Sequence, residues 1–238
     1  MKVYPLIEGH FSVDRNKDFS ILNKNSKGLK MAIQPFLIQI NNENILFDTG
    51  LGWLENNQPK IIKNLKNINL QPKDISKILI SHLHKDHING LVNTSSEELE
   101  LIFPQAEIFI QKREYEFALS QNESHSFDFK ILDYIVKNSN INWLIDDEGE
   151  INNKIQYKVT PGHTPYLQSF WINEDNKTVF YGSDNLPLEA YFKYHLAYKS
   201  DYNGKEAMEY RIEWEKEAKN NSWEILFYHD LKNPVVQF

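Results

Sequence analysis

An α/β fold with two central sheets and helices outside them is what this sequence predicts, on three observations. Strand-like and helix-like patterns interleave through both halves of the 238 residues. The composition supplies a sizeable core: 41% of residues are hydrophobic, with 14 Phe, 12 Tyr and 5 Trp. Metal-capable side chains recur at the tips of apolar runs, most densely in SHLHKDHING (81–90).

MAIQPFLIQI (31–40) and NILFD (44–48) read as strands joined by a hairpin at NNE. QPKIIKNLKNINL (58–70) places Ile61, Ile62, Leu65 and Ile68 at helical spacing, with Pro59 near the first turn. ISKILI is β-branched and apolar, and follows Gln71, Pro72 and Asp74; it predicts a buried strand over 77–81. AEIFIQ (106–111) is a further strand, KREYEFALS (112–120) a short helix, and FDFKILDYIVK (127–137) an amphipathic helix after the polar QNESHS. In the second half, strands are expected at 141–145, 154–160, 167–173 and 177–182, with NEDNK (173–177) as a hairpin turn. GKEAMEYRIEWEKEAK (204–219) is helical, with Ala207, Arg211, Trp214 and Ala218 on a core face and Met208 and Ile212 alongside. WEILFYHD (223–230) closes the chain with a strand. No linker, low-complexity tract or short repeat divides it, so residues 1–238 read as a single domain.

The formal charge is −7, which argues against a nucleic-acid surface of clustered Lys and Arg. There is no cysteine, hence no disulfide, thiolate ligand or cysteine nucleophile. The N-terminal stretch lacks a signal-peptide core, and no apolar run approaches a membrane span. The expectation is a cytoplasmic protein acting on a small molecule, without nucleic-acid or membrane partners.

Three of the 8 histidines crowd into the 81–90 stretch, where His82, His84, Asp86 and His87 follow a buried strand. His82 and His84 are two apart, so in an extended segment they point the same way. Asp86 and His87 come from the following turn, near a helix start. Three further strand tips carry the same kind of residue: His163 in VTPGHTP, Asp184 in VFYGSDN and His229 in EILFYHD. Imidazole and carboxylate suit zinc and similar divalent ions. By count, His82, His84 and His163 give one ion three nitrogens. Asp86, His87 and His229 serve a second ion, and Asp184 can bridge both. Each ion keeps an open position, where a bridging hydroxide forms at neutral pH.

These motifs resemble the metallo-β-lactamase-fold hydrolase superfamily. Its H-x-H-x-D-H motif, lone His, bridging Asp and final His match His82, His84, Asp86, His87, His163, Asp184 and His229 in order. FDTG (47–50) is similar to its early strand-end motif, which places Asp48 behind a ligand histidine. The resemblance implies a four-layer αβ/βα sandwich with two central mixed sheets flanked by helices. FPQAEIFIQKREYEFA, TPGHTP, GSDNLP and FYHD are similar to the branch of N-acyl-homoserine lactonases and related organophosphate hydrolases. The sequence departs from that branch in three places. Asn89-Gly90 stands for two glycines, Tyr166 stands for a glycine, and Pro187 stands where the lactonases carry a tyrosine.

The expected activity is therefore a two-metal hydrolase of an ester or lactone, with zinc as the metal and manganese or iron as alternatives. Asp86 would pass a proton to the leaving group, and Asp184 would hold the metal pair. Phosphotriester hydrolysis, an iron persulfide dioxygenase and a metal-holding protein without turnover are the other readings. Tyr191, Tyr194, His195 and Tyr198 lie in the stretch after Asp184 and, with Tyr166, are the candidate substrate residues. The same rings would equally pack the loop onto the sheets or form a contact in a homodimer.

Overall fold

Three hairpins have two-residue loops made of Asn or Asp. Asn41-Asn42, Asn56-Asn57 and Asp175-Asn176 all have positive φ. They sit between the paired ends Ile40↔Glu43, Glu55↔Gln58 and Glu174↔Lys177. Two successive residues at positive φ make the turn whose twist matches antiparallel strands, and Asn and Asp tolerate it best after Gly. The hairpins expected at NNE and NEDNK are both of this kind.

The computed structural model describes residues 1–238. By backbone contacts they form two units, Met1–Ile110 with Ala118–Trp143, and Gln111–Phe117 with Leu144–Phe238. No helix is long and apolar enough to cross a membrane.

Unit 1 is built on a mixed six-stranded sheet in the order Lys2–Pro5, Phe36–Ile40, Glu43–Phe47, Lys77–Leu79, Glu107–Gln111, Ile141–Leu144. Lys77–Leu79 runs parallel to both of its neighbours. Parallel strands are covered on both faces and read as unbroken apolar runs. Ile45, Leu46 and Phe47 are accordingly buried in succession, as are Ile78, Leu79 and Ile80. The helices Lys60–Asn67 and Phe129–Asn138 bury Ile61, Leu65, Ile131, Leu132 and Ile135. The second is capped by Asp128, which accepts from the Ile131 amide at 3.1 Å.

The expected single strand over 31–40 is two strands, Leu29–Ile33 and Phe36–Ile40, in different sheets. Pro35 separates them: it has no amide hydrogen for a ladder and disfavours a continued run. Leu29–Ile33 instead joins Gly9–Val13 and Phe19–Ile21 in a three-stranded sheet. The N-terminal strands were not foreseen, because their alternation is short and interrupted by polar residues.

Unit 2 holds a second mixed six-stranded sheet, in the order Glu148–Ile151, Ile155–Val159, Gln168–Glu174, Lys177–Tyr181, Glu224–Leu226, Val235–Gln237. The strand expected to close the chain is not the last: Glu224–Leu226 is followed by Val235–Gln237, which pairs with it antiparallel. The helix Gly204–Asn221 buries Ala207, Arg211, Trp214 and Ala218, the expected face. Ile212, expected beside that face, is 48% exposed. It sits one position past Arg211, about 100° further around the helix.

Candidate metal centre

In unit 1 the donors follow from sheet register. Glu43–Phe47 and Lys77–Leu79 are parallel, with Phe47 opposite Leu79. Asp48 and Ser81 therefore leave the same sheet edge side by side, at the carboxyl ends where open α/β sheets build their sites. Asp48 turns at φ 54. Its Oδ1 accepts the Ser81 amide at 2.8 Å, and its Oδ2 accepts from Ser81 Oγ at 2.7 Å. The same Oδ2 lies 2.8 Å from His87 Nδ1. Asp48, Ser81, His82 and His87 are all buried.

These bonds fix ring protons. Nδ1–H of His87 donates to Asp48, which leaves Nε2 with a lone pair. Ser81 donates its proton to Asp48, so its oxygen accepts from His82 Nδ1 at 3.1 Å and again leaves Nε2 with a lone pair. His84 Nδ1 stands 3.0 Å from His82 Nε2, and the rings of His82 and His87 are 4.1 Å apart. His84 precedes the short helix Lys85–Ile88, which carries Asp86 and His87. The helix is gripped from below: the Thr49 amide and hydroxyl both donate to the His87 carbonyl, at 2.7 and 3.0 Å. Gly90 is required there, since a Cβ would fall on the Thr49 carbonyl oxygen.

Unit 2 uses the same edge logic. Lys177–Tyr181 and Glu224–Leu226 are parallel, with Tyr181 opposite Leu226. Asp184 and His229 each lie three residues beyond those partners, and they meet, His229 Nε2 to Asp184 Oδ1 at 3.1 Å. His163 follows Ile155–Val159, two strands away and running in the same direction, and brings Nε2 to 3.4 Å from Asp184 Oδ2. One carboxylate thus faces two imidazoles with its two oxygens. His163 Nδ1 is 3.0 Å from Asp201 Oδ1, so this ring too keeps its Nε2 lone pair inward.

The His163 turn is held by Asn185. Its Oδ1 accepts the His163 amide at 2.7 Å, and its Nδ2 donates to the Thr160 carbonyl at 2.6 Å. Gly162 leaves room for that side chain, where a Cβ would overlap Asn185 Oδ1. Buried Glu114 accepts from Thr164 Oγ1 at 2.8 Å on the other side of the turn. In each unit, imidazole nitrogens and carboxylate oxygens converge, and the second ring nitrogens of His82, His87 and His163 are tied to a hydroxyl or a carboxylate. That donor chemistry fits a divalent cation.

The candidate substrate residues separate. Tyr191 and Tyr198 stack at 4.4 Å with 11° between ring planes, and buried Arg211 lies over both. Arg211 also donates to the carbonyls of Asn185 and Leu196 at 2.7 and 2.6 Å. It stitches the loop after Asp184 to the long helix, so its place on a core face is polar work. Burial, with Tyr198 and the charges of Asp184 and Asp201 behind it, pushes the Tyr191 phenol well above its ordinary range. Tyr194 is 59% exposed, His195 Nε2 lies 2.7 Å from Glu215, and Tyr166 sits beneath the Arg113 guanidinium.

Sequence reasoning missed Ser81, Asn185, Asp201 and Glu8. Glu8 is buried and accepts the amides of Leu51 and Trp53 at 2.6 and 2.9 Å, anchoring the loop that follows Asp48. Burial raises its carboxyl to about 7, against those amide bonds and with a smaller push from Asp86.

The Metallo-beta-lactamase superfamily model matches residues 32–196, and the chain belongs to that superfamily. It is a metal-dependent hydrolase that works with divalent ions. An N-acyl homoserine lactonase of Bacillus thuringiensis is 26% identical over 209 residues, 79% of this chain and 75% of the relative. A probable metal-dependent hydrolase from Staphylococcus aureus has a similar structure, with a TM-score of 0.78 at 21% identity over 99% of this chain and 91% of that one. The dizinc quorum-quenching lactonase AidC gives a TM-score of 0.70 at 23% identity, covering 87% and 75%. At these identities the structural likeness is one of fold.

Proposed function

We propose that the two donor clusters act together on a pair of zinc ions and that the chain hydrolyses an ester or lactone. The observation that carries the proposal is the donor set: in both units, ring nitrogens kept unprotonated by tied-back partners stand beside carboxylate oxygens. His82, His84 and His163 would hold one ion, and Asp86, His87 and His229 the other, with Asp184 shared. Manganese or iron would meet the same nitrogen and oxygen donors. On this reading the two units work as one domain.

Bound divalent ions supply ionised water at neutral pH and polarise the carbonyl oxygen that gains charge. Asp48 and Asp201 keep the rings of His87 and His163 oriented and in the donor tautomer. Asp86 carries a proton to the leaving alkoxide. Tyr191, whose hydroxyl bonds Tyr198 in the absence of substrate, is the candidate for the tyrosine that Pro187 replaces. Tyr198 and Arg211 hold that ring in place. The lactone preference is supported by the lactonase relatives.

The test is a panel of acyl-homoserine lactones, simple lactones, aryl esters, thioesters, phosphotriesters and β-lactams, with metal-loaded and chelated protein compared. We expect chelator-sensitive turnover of lactones or esters. Turnover of phosphotriesters alone would reassign the substrate. Failure across the panel, with oxygen uptake on a persulfide by the iron-loaded protein, would move the chain to dioxygenase chemistry.

A further inference from the structure

Among the fully buried side chains Arg211 is the largest. A charge is costly to bury unless its bonds offset the lost water. Here the bonds go to the carbonyls of Asn185 and Leu196, with the rings of Tyr191 and Tyr198 at 5.1 and 5.7 Å. Burial pulls the guanidinium below its ordinary range, and the Asp201 charge pushes it back up. An apolar side chain of similar length would fill the same helix face without the desolvation cost. What it could not do is hold two carbonyls in one planar fork.

Both carbonyls lie on chain that leads to His163. Asn185 directly follows Asp184, and its side chain bonds the His163 amide and the Thr160 carbonyl. Leu196 precedes a stretch that returns to the His163 turn by three bonds. Asp201 Oδ1 lies 3.0 Å from His163 Nδ1. The Tyr202 amide donates to the His163 carbonyl at 3.2 Å, and the Asn203 amide to the Gly162 carbonyl at 2.8 Å. The return is close-packed, since a Cβ on Gly204 would fall on the Tyr198 carbonyl oxygen. Residues 185–203 thus form a strap that leaves beside Asp184 and closes on His163. Arg211 pins it from the helix at two points.

We propose that Arg211 is a positioning residue for the metal centre, which sets the place of His163 by holding this strap at two carbonyls. It acts through Asn185, which fixes the His163 backbone, and through Asp201, which fixes its ring. The effect is selective: the unit 1 donors are held by Asp48 and do not depend on the strap. The metal consequence rests on the proposed two-metal reading; the orientation of the His163 ring does not.

The experiment compares the full chain with Arg211→Lys, which keeps the charge without the fork, and Arg211→Met, which keeps only an apolar stem. Ala218→Gly is the packing control: it loosens the same helix on its buried face and removes no bond to the strap. The first readout needs no metal. In chelated protein with 15N-labelled histidine, the imidazole N–H signals of His87 and His163 report their bonds to Asp48 and Asp201. The second is metal retention against a chelator. Both Arg211 variants should lose or broaden the His163 signal and keep that of His87, with methionine the more severe. One of two ions should be held about tenfold less tightly. Ala218→Gly should melt lower yet keep both signals and both affinities. An unchanged His163 signal in both Arg211 variants would overturn the proposal. So would equal loss of the His87 signal, the same loss in Ala218→Gly, a parent without a His163 signal, or unfolding of both Arg211 variants, which would make the residue a requirement of the fold alone. A parent that binds no metal would sink the hydrolase reading and leave the imidazole signals to decide on Arg211.

Discussion

Unit 1 takes its donors from one short run, His82 to His87, whereas unit 2 gathers His163, Asp184 and His229 from three separate strand ends. The supports differ in the same way. In unit 1 a single buried carboxylate, Asp48, holds both the strand end at Ser81 and the ring of His87. In unit 2 the work is divided: Asn185 holds the His163 backbone and Asp201 holds its ring. The difference teaches that one parallel-strand edge can present a cluster either by local spacing or by register between distant strands. The local version concentrates its dependence on one residue, and the distributed version spreads it.

The largest effect should come from the residue on which unit 2's donors depend most. Asp184→Ala removes the carboxylate that faces both His163 and His229. We expect loss of one of two metals and of nearly all turnover, read by metal analysis and kinetics together. A variant that keeps both metals and its rate would break the account of unit 2.

Next come the two supporting carboxylates, which sharpen the comparison. Asp48→Asn should weaken metal retention about 10–100-fold, measured by competition with a chelator. Asn is chosen because it tolerates the positive φ of this position. Asp201→Asn should cost less, toward the lower end of about tenfold, because its Oδ1 makes one bond to His163 while Asp48 makes three. Equal losses would show that support is not concentrated in unit 1.

Packing offers a third contrast. Gly90→Ala drives a methyl into the Thr49 carbonyl, which is backbone and has no room to yield. It should destabilise by about 1–3 kcal/mol in chemical unfolding. Gly162→Ala meets the Asn185 side chain and the Ala207 methyl instead. It should cost less stability but displace Asn185 from the His163 amide, and so lower metal affinity more than stability.

A further effect is one of pH. The Glu8 carboxyl is raised from 4.5 to about 7 in the folded chain. Between those values the native state holds a proton that the unfolded chain has released. Stability of the metal-free protein should therefore be greatest below about 4.5 as far as this group is concerned, and fall as pH rises through about 7. The whole span is on the order of 3 kcal/mol. Glu8→Gln should flatten that slope in pH-dependent denaturant melts, and an unchanged slope would remove Glu8 from the account.

The same contrast governs what the sequence disclosed. His82, His84, Asp86 and His87 stand out in the sequence because four metal-capable residues crowd into a short window after a buried strand. His163, Asp184 and His229 were legible only by their shared place at strand tips. Ser81, Asn185 and Asp201 carry no such mark. A serine before a histidine, an asparagine after an aspartate and an aspartate in a polar loop are common, and only tertiary approach gives them their partners. Arg211 shows the limit of periodicity: the pattern put it on the buried face but could not say that a guanidinium there bonds two carbonyls. The break at Pro35 was written in the sequence and outweighed by the apolar residues on either side.

The central claim is that the two clusters hold two metals between them. Metal analysis of the folded, purified chain, with zinc supplied during expression, tests it most directly. The account predicts close to two ions per chain, falling toward one in Asp184→Ala. A folded chain that retains no metal, or one whose metal content is unaffected by Asp184→Ala, would contradict it.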